Sequence, residues 1–130
     1  MNDKIQYIKE WIYKADHDLG SAKVIYQHLP DYYDTISFHC QQAVEKYLKA
    51  LLIYKEIDFE FSHDLRYLLD LLSDTIEISP NHYNKAILLN RFGVEIRYPN
   101  IRIVMTKEEL ENTIHIADEF RDFCLSKMNI

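Results

Sequence analysis

Glycine and proline are scarce in this chain, two and three residues respectively out of 130. Tight turns between many short strands depend on those residues, so their scarcity excludes a turn-rich all-β architecture and leaves helices as the expected element. Cysteine is equally sparse. Cys40 and Cys124 are too few and too far apart for a disulfide framework or a zinc site, and each sits on an apolar helical face as a small buried hydrophobe. No apolar run approaches the roughly 18 residues of a membrane span, and the mixed, charged start of the chain is no signal peptide. A cytoplasmic protein without a membrane partner is therefore expected. The chain also lacks a glycine-rich phosphate loop, zinc-spaced Cys and His residues and a His-Glu-x-x-His pair. Nothing in it predicts a metal, a cofactor or a catalytic set. Positive charge is in deficit too. The formal net charge of −6 argues against a broad duplex-binding surface.

What the chain does have is helical periodicity. At 130 residues it is long enough for one domain with its own core. The organising stretch is Phe38 to Leu52, where apolar residues at 36, 40, 43, 44, 47, 48 and 51 form one continuous stripe. Gln41, Gln42, Glu45, Lys46 and Lys49 flank it, and Glu45 and Lys49 have the spacing of an intrahelical pair worth a few tenths of a kcal/mol. No Gly or Pro interrupts Asp31 to Phe61, so this helix is expected to reach about 25 residues, roughly 40 Å, before a second break over Glu56 to Phe61, a connecting segment with two anchoring aromatics, Phe59 and Phe61. Ahead of the central helix, Ile5, Ile8, Ile12, Ala15, Leu19, Ala22, Tyr26 and Leu29 mark a first helix from Asp3 to His28 with a heptad-like seam. Asp16 and Asp18 fall off that seam beside His17, a carboxylate–His cluster that could bind metal or move protons but is expected to be a solvated face. Pro30 breaks the chain, and Asp31 is placed to cap the next helix. Tyr32, Tyr33, Tyr47 and Tyr54 on the central helix read as core or dimer interface.

Further along, Ser62 is placed to cap a third helix whose stripe is Leu65, Leu68, Leu69 and Leu72, with His63 and Asp64 in its first turn. His63 either fixes this turn through hydrogen bonds or contacts a phosphate. Ser79-Pro80 starts a fourth helix, with Tyr83, Ala86, Ile87, Asn90 and Val94 on one face and an end near Arg97, before Pro99. Thr106 and Glu109 have capping-box spacing and open a last helix with Leu110, Thr113, Ile114, Ala117, Phe120, Phe123 and Cys124 facing inward. The bases Lys85, Arg91, Arg97, Arg102 and Lys107 stand against the single acid Glu95 between Pro80 and Lys107, a local excess of +4 that leaves −10 elsewhere. Arg91, Arg97 and Arg102 gather around one helix end. They either neutralise its carbonyls or hold a phosphate.

Several of these residues together resemble the HEPN family (higher eukaryotes and prokaryotes nucleotide-binding). The matching positions are Ala15-Asp16-His17-Asp18-Leu19 with Ala22, then Gln41 to Leu51, His63-Asp64-Leu65, and Arg97-Tyr98-Pro99. They span nearly the whole chain in the family's order. The resemblance implies a single HEPN-like domain over 1–130, an all-α, five-helix, mostly antiparallel bundle. It implies a homodimer that acts with a minimal nucleotidyltransferase partner in a toxin–antitoxin-like system. It favours the phosphate reading for Arg97, Arg91 and Arg102, with Tyr98 and His63 beside them, and a nucleotide or RNA as ligand. Ribonuclease members of the family carry an Arg followed four to six residues later by His. Here Arg91 runs through Phe92 and Gly93 to Arg97 and Tyr98, with no histidine between His82 and His115. Tyr98 is a poor substitute, since a phenol of pKa about 10 is almost wholly protonated at neutral pH. The expectation is a non-catalytic binding protein. The alternatives are a ribonuclease toxin with an unconventional site, or a structural dimerisation module without ligand.

Overall fold

The computed structural model describes residues 2–94, 99 and 104–130, and these form five α-helices and no strand. α1 spans Asn2–His28, α2 Tyr33–Tyr54, α3 Leu65–Ser73, α4 Pro80–Val94 and α5 Lys107–Ser126. α2 is the axis of the bundle. Its whole expected stripe is buried, Ala50 and Leu52 are buried with it, and each of the other four helices packs against it. A helix covered on so many sides draws its stability from tertiary contacts more than from propensity.

Cross-helix pairs fix the directions. Lys4, early in α1, reaches the Tyr54 carbonyl at the end of α2 (3.3 Å), and mid-helix Asp18 meets Lys46. α1 and α2 are therefore antiparallel. Lys23–Asp118 and Arg121–Asp16 set α1 against α5 in the same way, and Asn90–Asp64 with Tyr83–Asp70 do so for α3 and α4. The result is the mostly antiparallel five-helix bundle that the sequence implies.

Four local expectations need correction. Asp31 does not cap α2. The Tyr32 N–H closes a turn onto the Leu29 carbonyl (3.0 Å) with Pro30 and Asp31 at its centre, which puts Tyr32 at the N-cap, without a side-chain bond. α2 stops at Tyr54, where the expected break begins, but of that segment's two aromatics only Phe59 packs on the core, while Phe61 is exposed. Glu56 takes a left-handed conformation (φ 60°), its N–H donates to Ile53 O (3.1 Å), and the Ile57 N–H donates to Leu52 O (2.9 Å). That is a Schellman ending with Glu where glycine is usual. The third helix is capped by Asp64, which accepts from the Arg66 N–H (3.0 Å). Ser62 instead accepts from the Asp64 N–H (3.0 Å), so His63 and Asp64 precede the helix. On α4 the buried row is Ala86, Leu89 and Phe92, while Ile87 is exposed, because the helix turns this row toward α2 and α3. Its expected end near Arg97 lies outside the described residues. The capping box of Thr106 and Glu109 forms as expected.

Candidate functional site

Beyond the Schellman turn the chain doubles back along α2. Ile57 and Phe59 pack on the core, and His63 arrives beside Glu45, about 14 Å up the helix from Tyr54. There the residues at 41, 45 and 49 form a row on α2 in which Gln41 is 0 %, Glu45 3 % and Lys49 4 % exposed. Lys49 Nζ bonds Glu45 Oε2 (3.0 Å), and His63 Nδ1 bonds Glu45 Oε1 (2.8 Å). Gln41 Nε2 donates to the His63 carbonyl (3.2 Å) and to Glu45 Oε1 (3.4 Å). Gln42 Nε2 donates to Gln41 Oε1 (2.9 Å). Two charges taken out of water cost several kcal/mol each, and their attraction only about offsets that. A well-packed apolar trio would stabilise the bundle as well. This row therefore points to function rather than to stability.

The C-terminal half of α4 meets the same place. Asn90 accepts from the Leu65 N–H (2.9 Å) and donates to Asp64 (2.8 Å), so it fastens α4 to the His63 turn. Gly93 lies so close to Gln41 that a Cβ there would stand 2.7 Å from the amide carbon. Arg91 is exposed in the last turn of α4. Among the expected site residues the structure thus brings the elements bearing His63 and Arg91 together. Arg97, Tyr98 and Arg102 lie outside the described residues. The chain on either side of them is anchored on α2, at Gly93 against Gln41 and at Met105, whose sulfur accepts from Ser37 Oγ (3.3 Å). These two anchors are about one helical turn apart.

His63 fixes its turn through hydrogen bonds, the first of the two readings made from the sequence. Its Nδ1 fixes the turn onto α2, and with that nitrogen committed to Glu45, Nε2 is the ring atom left to meet a ligand. Phe61 stands edge-on to the His63 ring, with centroids 4.9 Å apart at 80°. Lys49 Nζ is 5.5 Å from the Phe61 centroid and 5.7 Å from that of Trp11.

A second polar group has a structural role. Asp18 takes Lys46 and His39 (3.0 Å) from α2, and Asp16 takes Tyr47 and, through Arg121 (2.9 Å), α5. The face expected to be solvated is thus tied to two helices. Burial works to raise both aspartates, but hydrogen bonds from Arg121 and Tyr47 at Asp16, and from His39 and Lys46 at Asp18, outweigh it and hold both below the ordinary value. The Cys40 thiol is pushed up to about 12, chiefly by burial, and Cys124 is raised by burial too, so neither is a nucleophile. Among the described residues no group of three or more His, Cys, Asp or Glu is placed to hold a metal ion, and no helix is long and apolar enough to cross a membrane.

Sequence reasoning placed Gln41, Glu45 and Lys49 on the flanks of the apolar stripe and missed their convergence on His63. The available signal was a straight polar row at spacing four beside a buried stripe, together with a glycine inside α4.

The HEPN domain family model matches residues 8–128. Among solved structures, the chain resembles TT1696 from Thermus thermophilus at 26 % identity and TM-score 0.76, over 93 % of this chain and 98 % of that one. An archaeal HEPN homologue superposes with a TM-score of 0.73 at 22 % identity, over 94 % of this chain and 98 % of its own. A HEPN domain protein of Thermotoga maritima gives 0.67 at 22 % identity, over 90 % and 95 %. No curated protein matches the chain.

Proposed function

The chain belongs to the HEPN domain family, and from that membership we propose that it is a non-catalytic binding component for a nucleotide or RNA phosphate. Arg97, Arg91 and Arg102 supply the charge in this reading, with Tyr98 and His63 beside them, and a minimal nucleotidyltransferase is the partner in a toxin–antitoxin-like pair. The observation that carries the proposal is the fixing of His63 by Glu45 at the junction where α4 delivers Asn90, Arg91 and Gly93. Charge-assisted, bidentate bonds are the strong way to hold a phosphate. Arg97→Ala should accordingly weaken AMP or a short RNA by about 1.5–3 kcal/mol, and Arg97→Lys should recover part of that. A helix-end charge contributes below about 1 kcal/mol to stability, so melting should barely move. A destabilised Arg97→Ala protein with unchanged ligand titrations would reduce Arg97 to a helix-end charge.

One observation favours a second reading. A histidine oriented by a buried carboxylate is the arrangement a general base needs, and His63 has it through Glu45. A ribonuclease with an unconventional site would use His63 in place of the histidine that is missing after Arg91. RNA cleavage by the purified protein that vanishes in His63→Ala would support that reading and end the non-catalytic one.

A further inference from the structure

Among the described residues Phe61 is the most exposed aromatic, at 84 %, yet its ring is not loosely placed. The His63 imidazole and the Lys49 ammonium both lie against it, and Lys49 is itself buried and fixed by Glu45. A large apolar ring left in water on a pinned support is an incomplete contact. We propose that Phe61 is a stacking platform for a nucleobase and that the ligand of this site is a single nucleotide, which deepens the phosphate-binding reading above and rests on it.

Three features favour that ligand. The neighbours of Phe61 in the chain are the polar Glu60 and Ser62, with Asp64 beyond, whereas a protein partner usually covers a contiguous apolar patch. A base needs only one aromatic face, and stacking tolerates any base. The imidazole of His63 lies at the edge of the ring, and His63 sits on the turn that Asn90 fastens to α4. A base on Phe61 would thus carry its phosphate toward His63 and the arginine-bearing end of α4. Asp58, Glu60 and Asp64 occupy the same segment and are exposed. They repel a long polyanion, which selects a mononucleotide over a strand.

The experiment is calorimetric titration of AMP, ribose 5-phosphate and a ten-nucleotide RNA into the wild-type protein, Phe61→Ala and Phe61→Tyr. An exposed side chain can be changed without loss of the fold, and unchanged thermal melts will confirm it. The proposal expects Phe61→Ala to weaken AMP at least about fivefold, to leave ribose 5-phosphate unchanged, and Phe61→Tyr to keep AMP binding. Equal AMP affinity in wild type and Phe61→Ala would remove Phe61 from the site while leaving the phosphate reading intact. A Phe61→Ala defect confined to RNA, or one seen as a change in sedimentation with AMP binding intact, would assign the ring to a strand or a protein partner and overturn the proposal. A wild-type protein that binds the RNA alone would overturn this inference and leave the phosphate reading, and one that binds none of the three ligands would end both.

Discussion

Lys49 shows how far one position can depart from what its spacing implies. A Glu and a Lys four apart read as a surface pair worth a few tenths of a kcal/mol, yet here both are buried and the Glu45 carboxylate also bonds His63. The spacing was legible in the sequence. The burial was not, because it depends on residues 55–64 folding back over the row. Lys49→Met alone should cost up to about 3–5 kcal/mol, since it removes the buried cation from a buried carboxylate and leaves it only His63 and Gln41. Glu45→Leu combined with Lys49→Met should be close to neutral, as apolar replacements of whole buried pairs often are. Urea unfolding of the two variants tests this, and equal losses in both would show that the row stabilises the fold by itself. Asp16 and Asp18 make a second test at this scale. Their carboxyls sit below the ordinary value in the folded chain, so the unfolded chain binds more protons as the medium acidifies. Their contribution is complete above the unfolded pKa of about 3.9 and is lost as pH falls through the lower folded values. Wild-type urea midpoints should drop below about pH 4, and Asp18→Asn should show a shallower drop. Parallel profiles for the two proteins would mean that Asp18 has no such role.

At the scale of the helix, the starts of α4 and α5 could be read, while the caps of α2 and α3 fell on Tyr32 and Asp64 rather than on Asp31 and Ser62. Ser79-Pro80 and the Thr106–Glu109 box open α4 and α5 where their chemistry says they should. The end of α2 was legible as the break at Glu56, but its Schellman turn was not, because the left-handed position carries Glu56 and no glycine announces it. The two glycines are the converse case. Both lie inside helices, where Gly costs about 1 kcal/mol against Ala, but for different reasons. Nothing stands within 4 Å of a Cβ built on Gly20, whereas one on Gly93 meets three side-chain atoms of Gln41 within 2.9 Å. Gly20→Ala should therefore stabilise by about 1 kcal/mol. Gly93→Ala should destabilise by about 1–3 kcal/mol, because Gln41 cannot yield without dropping its bonds to His63 and Glu45. Thermal melts of the pair check the contrast, and a stabilised Gly93→Ala would show that α4 does not press on Gln41.

For the molecule as a whole, the five-helix, mostly antiparallel bundle was readable because every helix carries a long apolar period and only two glycines punctuate the chain. The site was readable only in part, since its members come from α2, from the segment before α3 and from α4. Their meeting is a property of the topology, and no single motif records it. Surface composition makes a further forecast. Tyr7, Tyr13 and Val24 all leave large apolar groups exposed on α1, in line with the homodimer that the tyrosine-rich sequence suggests. Sedimentation equilibrium at micromolar concentration should show a dimer. A single 15.6 kDa species would contradict it. The central claim is that a nucleotide phosphate is held where His63 and the end of α4 meet α2. Amide chemical shifts followed during an AMP titration test it most directly. The account predicts changes concentrated at residues 41–49, 61–66 and 90–93. Changes confined to the depression between Tyr7, Trp11, Lys14 and Lys46, or no changes at all, would contradict it.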